Sequence, residues 1–236
     1  EGVYEREIIQ LLNNLVLPDT TLIDVGANIG LTAIPVLAHQ SQCRVVSIEA
    51  SPDTLRYLQR THAASCYSER WDVIECAAGS VRGGADYHVS SPENGAFDGF
   101  RDTQRGGRKR QLRVDVRTLD EIWSELGCPK VSAIKVDVEG AETDVLHGAR
   151  NLLSKERPTL IIEWNVTNLL AYGRDPTEIF SLAAQHGYVS YGYPILNRID
   201  STPILRATMA ITEMLLLVPS EIVRNEIERL ANEKNH

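Results

Sequence analysis

The 236-residue chain has 24 lysines and arginines against 32 aspartates and glutamates, which gives a formal net charge of −8 at pH 7. This negative charge disfavours general binding to the phosphate backbone of nucleic acids. No apolar run approaches the roughly 18 residues of a membrane span, so neither nucleic acid nor membrane is an expected partner. The four cysteines form no C-x-x-C pair, which fits a reduced, cytoplasmic compartment. The length predicts a single domain over residues 1–236.

Strand-like and helix-like segments alternate along the chain, which is the pattern of a parallel sheet covered by helices. Buried strands are predicted at 21–27, 44–49, 71–77, 131–138, 159–163, 188–193 and 214–218. Helices are predicted at 4–14, within an N-terminal segment 1–20, at 119–126 and 139–153, and from starts near 30, 51 and 175. The order predicts an α/β fold, Rossmann-like and doubly wound, with a mostly parallel seven-stranded sheet and helices on both faces.

Two segments depart from this alternation. Residues 87–90 and 112–116 alternate like a solvent-facing pair of strands, and the polar stretch 91–110 between them predicts a mobile loop. Residues 194–212 predict a second loop, and both loops are candidates for substrate binding. A basic run lies in and after the first loop, at Arg101, Arg105, Arg108, Lys109, Arg110 and Arg113. It is either a solvated surface or a lid that meets an anionic acceptor.

The sharpest motif is Asp24-Val-Gly-Ala-Asn-Ile-Gly30, between a predicted strand and a predicted helix. Gly26 and Gly30 allow the backbone to turn tightly and to approach a ligand closely. Glu49 follows Gly30 by 19 residues, at the end of the next predicted strand. An acidic residue at that distance binds the ribose hydroxyls of a nucleoside. We therefore expect a nucleoside cofactor bound by Asp24, Gly26, Asn28, Gly30 and Glu49.

The spacing of the glycines bears on which nucleoside binds. A dinucleotide site requires G-x-G-x-x-G, with a helix N-terminus at the pyrophosphate, and this loop does not match. S-adenosylmethionine carries no phosphate, and Asp24 suits its cationic amino group, directly or through water. The pattern therefore favours S-adenosylmethionine. An NAD-dependent oxidoreductase on a Rossmann fold and a non-catalytic nucleoside-binding module are the alternatives.

A second set of charged residues lies at the ends of two predicted strands. Lys135, Asp137 and Glu139 share one face of a strand of period two, and Glu163 ends the neighbouring strand. Ligands bind beyond these strand ends, and a buried ammonium at Lys135 needs a carboxylate, which Asp137 or Glu163 can supply.

These residues allow several roles. We expect Asp137 to be the general base and also a cofactor contact, with Lys135 and Glu163 completing the catalytic set. A structural ion pair at Lys135 and Asp137 is one alternative. A divalent cation bound by Asp137, Glu139 and Glu163 is another, although the spacing of these residues does not by itself indicate a metal site. Glu139, at a predicted helix start, is equally a candidate for a cap of that helix.

Together these motifs resemble the FkbM family of methyltransferases. The resemblance rests on blocks over about residues 20 to 165: Asp24-Val-Gly-Ala-Asn-Ile-Gly30, Glu49 with Ser51-Pro52, Ala77-Ala-Gly79, Thr118-Leu-Asp120, Ile134-Lys-Val-Asp-Val-Glu-Gly-Ala-Glu142, Val145-Leu-His-Gly-Ala149, Arg157-Pro158 and Ile161-Ile-Glu163. The Lys-x-Asp-x-Glu-Gly block is the most specific of them. The resemblance implies S-adenosylmethionine as cofactor, with Ala78 beside it, and O-methylation of a small hydroxylated acceptor such as a natural product or a sugar.

Overall fold

The computed structural model describes residues 6–90, 98–103, 107 and 109–233. The strands are β1 (Thr21–Val25), β2 (Arg44–Glu49), β3 (Trp71–Glu75), β4 (Ala77–Ala78), β5 (Gly83–Val89), β6 (Arg110–Arg117), β7 (Val131–Val136), β8 (Thr159–Glu163), β9 (Tyr188–Gly192) and β10 (Met214–Pro219). The α-helices are α1 (Arg6–Leu15), α2 (Ala33–His39), α3 (Pro52–Ala64), α4 (Leu119–Glu125), α5 (Glu142–His147), α6 (Arg150–Glu156), α7 (Val166–Ala171), α8 (Glu178–His186), α9 (Thr202–Met209) and α10 (Val223–Glu233).

Seven strands form the main sheet, in the order β3-β2-β1-β7-β8-β10-β9. In this sheet the five neighbours β3, β2, β1, β7 and β8 run parallel, and β10 runs antiparallel to both β8 and β9. Strands covered on both faces are read in the sequence as continuous apolar runs, which is why the runs predicted these strands. The mostly parallel, seven-stranded α/β sheet is confirmed.

Helices cover both faces of this sheet. Leu22 and Ile23, neighbours on β1, belong to two different apolar clusters, because successive side chains of a strand point to opposite faces. The cluster of Leu22 includes residues of α1, α2, α3 and α10, and the cluster of Ile23 includes residues of α4 to α9. The predicted N-terminal helix is confirmed as α1, which buries Ile8, Leu11, Leu12 and Leu15. None of the helices in the described part of the chain has the length and apolar character of a membrane span.

A second, smaller sheet has three strands in the order β4-β6-β5. The predicted pair of strands is confirmed, since β5 and β6 are antiparallel with Tyr87 opposite Leu112. The predicted strand 71–77 is divided between the two sheets, because β3 ends at Glu75 and Ala77 pairs with β6. Ala50, which follows β2, packs against the apolar face of this sheet. The small sheet therefore lies at the carboxyl end of β2.

Several helices differ from the prediction. The helix predicted at 139–153 is two helices, α5 and α6, with a turn at Gly148, where a Cβ would lie 2.1 Å from the carbonyl oxygen of Gly79. The helix predicted near 30 begins at Ala33, and the one predicted near 175 begins at Glu178. The loop predicted at 194–212 is wrong in part, because it contains α9, which is anchored by the buried side chain of Leu205.

The described part of the first candidate loop is attached to the small sheet. Gly99 forms an antiparallel bridge with His88 of β5, with hydrogen bonds of 2.7 and 3.1 Å. Residues 91–97, 104–106 and 108 of the predicted loop, with Arg105 and Arg108 of the basic run, lie outside the described residues.

Candidate active site

A cavity of about 330 Å³ lies at the carboxyl ends of β1, β2, β7 and β8. The strand order reverses between β1 and β7, and crevices at such switch points are where ligands bind in open α/β sheets. The loop after β1 and the end of β2 form one part of the lining, and the segment after β7 forms another. Residues of the small sheet and of the bridge at Gly99 complete it.

Gly26 lets the ends of β1 and β7 meet. Its φ is +81°, and a Cβ at this position would lie 1.8 Å from the carbonyl oxygen of Asp137. The backbone N–H of Asp137 also donates to the carbonyl of Val25 at 3.0 Å. A side chain larger than hydrogen would push the two strands apart. Gly26 lines the cavity, as expected, together with Ala27 and Asn28.

Gly30 and Asp24 lie outside the lining of the cavity. A Cβ on Gly30, whose φ is +84°, would lie 2.7 to 2.8 Å from Leu58 and the ring of Trp71, so this glycine allows close packing of the loop. Asp24 is fully buried in β1 and is the register neighbour of Lys135. Contacts of Gly30 and Asp24 with a cofactor stay predictions.

Glu49 is buried at the end of β2 and organises the loop after β1. One carboxylate oxygen accepts a hydrogen bond from the backbone N–H of Asn28, and the other accepts one from the backbone N–H of Ser51, both at 2.8 Å. Burial raises the pKa of this carboxyl to about 7, against the opposing effect of the two amides. Each carboxylate oxygen has two lone pairs, so Glu49 retains acceptor capacity toward the cavity. Ala78 of β4 lines the same cavity.

Lys135 and Asp137 form the predicted ion pair. The ammonium of Lys135 contacts Asp137 Oδ2 at 2.8 Å, and the side chains are 5% and 24% exposed. Both line the cavity. Lys135 therefore fixes the carboxylate of Asp137 from the buried side, while Asp137 stays accessible to a ligand.

The position of Glu139 corrects the expectation that it caps a helix. Its φ is +57°, a left-handed conformation that is uncommon outside glycine, and α5 begins three residues later at Glu142. Glu142 accepts hydrogen bonds from the N–H groups of Val138 and Gly140, at 3.2 and 3.1 Å. The turn therefore frees Glu139 for the cavity, where its carboxylate accepts a hydrogen bond from Asn168 at 2.8 Å.

Three carboxylates meet at this end of the cavity. Asp137, Glu139 and Glu163 each have an oxygen within 4.8 Å of the others. The side-chain amide of Asn168 donates to Glu139 and, at 3.3 Å, to Glu163. Burial, together with the charges of Asp137 and Glu139, raises the pKa of Glu163. The cluster can therefore store a proton at Glu163, and its oxygens are of the type that binds Mg²⁺ or Ca²⁺.

Sequence reasoning assigned no individual role to four residues of the site: Tyr87, Asp98, Phe100 and Asn168. The first three line the cavity from the small sheet and its bridge, and their neighbours in sequence carry no motif. Asn168 lies on α7, and its backbone N–H donates to the side chain of Asn165, the N-cap of that helix. An asparagine after a strand and before an apolar stretch is the signal that could have revealed α7.

The basic run is largely paired where the structure describes it. Arg110 contacts Asp53 at 2.8 Å, Arg113 lies 3.8 Å from Asp86, and Lys109 lies 3.7 Å from Asp102. Arg110 and Arg113 are more than half exposed. The contacts of Arg110 and Arg113 fit a solvated surface, whereas the side chain of Lys109 is only 1% exposed. A lid that meets an anionic acceptor stays a prediction.

Comparison with known proteins gives a match to the methyltransferase FkbM domain over residues 24–190. The chain is 29% identical over 168 residues to the 2-O-methyltransferase NoeI of Sinorhizobium fredii, and this alignment covers 64% of this chain and 65% of NoeI. It is 29% identical over 194 residues to the hexuronic acid methyltransferase AglP of Haloferax volcanii, which covers 78% of this chain and 75% of AglP. The chain thus spans slightly less than two thirds of NoeI.

A solved structure supports the fold. The chain is similar to a methyltransferase FkbM from Methylobacillus flagellatus KT with a TM-score of 0.54 and 22% identity, which covers 86% of this chain and 44% of that one. The matched domain begins at Asp24 of the glycine loop and includes all of β7 and β8, with the carboxylates at their ends. The chain therefore belongs to the FkbM methyltransferase family.

Proposed function

We propose that the protein is an S-adenosylmethionine-dependent O-methyltransferase whose acceptor is a hydroxyl of a sugar or a natural product. The observation that carries the proposal is that one cavity joins Glu49 and the loop at Gly26 to the carboxylates of Asp137, Glu139 and Glu163. The first part suits a nucleoside, and the second suits removal of a proton from a hydroxyl. NoeI and AglP bear the names of a 2-O-methyltransferase and a hexuronic acid methyltransferase, which supports a sugar acceptor.

The charges of the lining favour S-adenosylmethionine over a dinucleotide. Among the described residues the lining has one ammonium, Lys135, and five carboxyl groups, of which Glu163 holds a proton at neutral pH: Glu49, Asp98, Asp137, Glu139 and Glu163. This field attracts a cofactor with a sulfonium and an ammonium and repels a pyrophosphate. When bound, S-adenosylmethionine supplies an electrophilic methyl group. Glu49 would hold its ribose, and Gly26, Asn28 and Ala78 would contact it.

Asp137 is the proposed base for the acceptor hydroxyl. It is partly exposed at the cavity, and its contact with Lys135 holds the carboxylate in place. Proton transfer to such a group contributes typically about 10²- to 10⁴-fold to a rate. A cofactor contact is a second role for Asp137. A third is a share in a divalent cation bound with Glu139 and Glu163, which the distances within 4.8 Å allow.

Two measurements test the proposed activity. Calorimetry should show binding of S-adenosylmethionine and S-adenosylhomocysteine but not of NAD. Mass spectrometry of neutral sugars, hexuronic acids and phenolic natural products, each incubated with protein and S-adenosylmethionine, should show the gain of one methyl group. An anionic acceptor is supported if the hexuronic acids react fastest. Binding of NAD alone would favour the oxidoreductase alternative, and binding without any transfer would favour a non-catalytic module.

Asp137→Asn separates the three roles of this residue. Loss of a base should lower kcat by about 10²- to 10⁴-fold and leave the affinity for S-adenosylhomocysteine nearly unchanged. Loss of a cofactor contact should weaken that affinity. If Asp137 is a metal ligand, EDTA should abolish the activity of the wild type and Mg²⁺ should restore it. Asp86→Asn is the matched control, because Asp86 is 62% exposed on β5. Full turnover and full affinity in Asp137→Asn would leave only the structural ion pair.

A cytoplasmic location stays a prediction.

A further inference from the structure

Residues 98–100 close one side of the cavity from outside the main sheet. Gly99 is bridged to His88 of β5, and the rings of Tyr87 and Phe100 meet edge to face at 5.5 Å. A Cβ on Gly99 would lie 3.2 Å from the hydroxyl oxygen of Tyr172 and 3.6 Å from the Cβ of Glu139. The segment is therefore fixed on both sides, to the small sheet and to the turn after β7.

Asp98 is the charged residue of this segment and is 4% exposed. Its Oδ1 accepts two hydrogen bonds from Ser90, from the backbone N–H at 2.7 Å and from the hydroxyl at 2.6 Å. Its Oδ2 is buried and has no hydrogen-bond partner among the described residues. Leaving a buried charged acceptor unsatisfied is unfavourable, and Asp98 lines the cavity. Ser90 thus fixes the carboxylate through one oxygen, and the other oxygen keeps unused acceptor capacity at the wall of the cavity.

The donor belongs to the nucleoside end of the cavity. The charge of Asp98 contributes to the raised pKa of Glu49, so the two carboxylates lie close enough to interact. Ala50, which follows Glu49 in the chain, packs in the same cluster as Tyr87 and Phe100. The three-carboxylate cluster, where the acceptor is expected, lies at the ends of β7 and β8, on the side where Gly99 approaches Glu139.

We propose that Asp98 is a cofactor-binding residue, whose Oδ2 accepts a hydrogen bond from a donor of the nucleoside opposite Glu49. The donor is a ribose hydroxyl or the amino group of the adenine. Ser90 acts on the ligand only through Asp98 and is a positioning residue. The inference rests on the proposed function, because it assumes an S-adenosyl cofactor.

Calorimetry with S-adenosylhomocysteine tests the inference without turnover. Asp98→Asn keeps an acceptor for Ser90 and turns the other oxygen into a donor, so its dissociation constant should rise about 10- to 100-fold. Asp86→Asn, an exposed change of the same kind on β5, should leave the affinity unchanged. Thermal melts check the fold. Asp98→Ala, which introduces no new donor, provides the same test if the asparagine variant does not fold.

Ligand analogues identify the donor. If the adenine amino group donates, S-inosylhomocysteine, which presents an acceptor oxygen at that position, should bind Asp98→Asn more tightly than wild type. If a ribose hydroxyl donates, the 2′-deoxy or 3′-deoxy analogue should bind wild type and Asp98→Asn equally. An affinity of a folded Asp98 variant within twofold of wild type for S-adenosylhomocysteine would overturn the inference and leave the proposed function intact. Failure of wild type to bind S-adenosylhomocysteine would overturn the proposed function, and the inference with it.

Discussion

Glu49→Gln should weaken the binding of S-adenosylhomocysteine and remove its dependence on pH near neutrality. The carboxylate is 6% exposed, and both of its oxygens accept backbone N–H groups at 2.8 Å. The amide keeps one acceptor but directs its NH₂ group at a backbone donor of Asn28 or Ser51. It also loses the charge that strengthens hydrogen bonds from ribose hydroxyls. Charge-assisted hydrogen bonds contribute about 1.5 to 3 kcal/mol, so the dissociation constant should rise about 10- to 150-fold.

The pH dependence follows from the pKa of Glu49, which burial raises to about 7. If only the ionised carboxylate binds the ribose, wild-type affinity should fall about 10-fold between pH 8 and pH 6. The protein should also release about half a proton on binding at pH 7, measurable by calorimetry in buffers of different ionisation enthalpy. Both effects should be absent in Glu49→Gln.

Glu75→Gln is the matched control. Glu75 is the register neighbour of Glu49 on β3 and is exposed. The same chemical change there should alter neither affinity nor its pH profile. Wild-type affinity and an unchanged pH profile in a folded Glu49→Gln variant would refute the assignment of Glu49 to the ribose.

Three further substitutions test the packing of the site by urea unfolding. Glu142→Gln should stabilise the protein by on the order of 3 kcal/mol at pH 7 to 8 and have little effect near pH 4. The reason is that burial raises the pKa of Glu142 to about 8, so wild-type stability falls as pH rises from about 4.5 to 8. An equal effect at both pH values would contradict this origin. Gly26→Ala should destabilise by at least about 2 kcal/mol, since its φ is +81° and the Cβ would meet Asp137, and a neutral result would contradict the close approach. Lys135→Met should cost about 3 to 5 kcal/mol, because Asp137 loses its ammonium partner, and a loss below 1 kcal/mol would show that the pair is not coupled.

The main sheet could be predicted because each of its strands is marked by a run of apolar residues of its own. Strands buried on both faces form nearly continuous apolar runs, and their ends are marked by glycine or charged residues. The short helices were harder to predict. α7 has 6 residues and α9 has 8, too few for a clear helical period. The turn between α5 and α6 follows from contact of Gly148 with Gly79, residues far apart in the chain.

In the site too, residues marked by a local pattern could be predicted, and residues placed by contacts between distant segments could not. Glu49, Lys135 and Asp137 could be placed together because the carboxyl ends of parallel strands meet at one edge of the sheet. The role of Glu139 stayed open between a helix cap and the carboxylate cluster. The left-handed turn at Glu139 decides it, because Glu142 accepts the backbone N–H groups and Glu139 faces the cavity. Asp98 was missed because its place depends on the bridge of the neighbouring Gly99 to β5, which no local pattern encodes.

The carboxylates of the cavity oppose folding and favour a ligand for the same reason. Burial raises the pKa of Glu49 and Glu163, so ionising them at neutral pH costs free energy. A ligand that brings positive charge and hydrogen-bond donors lowers this energy, whereas a pyrophosphate would raise it. Residues that lower stability persist where function requires them. The acidic lining therefore argues for a cationic nucleoside cofactor independently of the spacing of the glycines in the loop after β1.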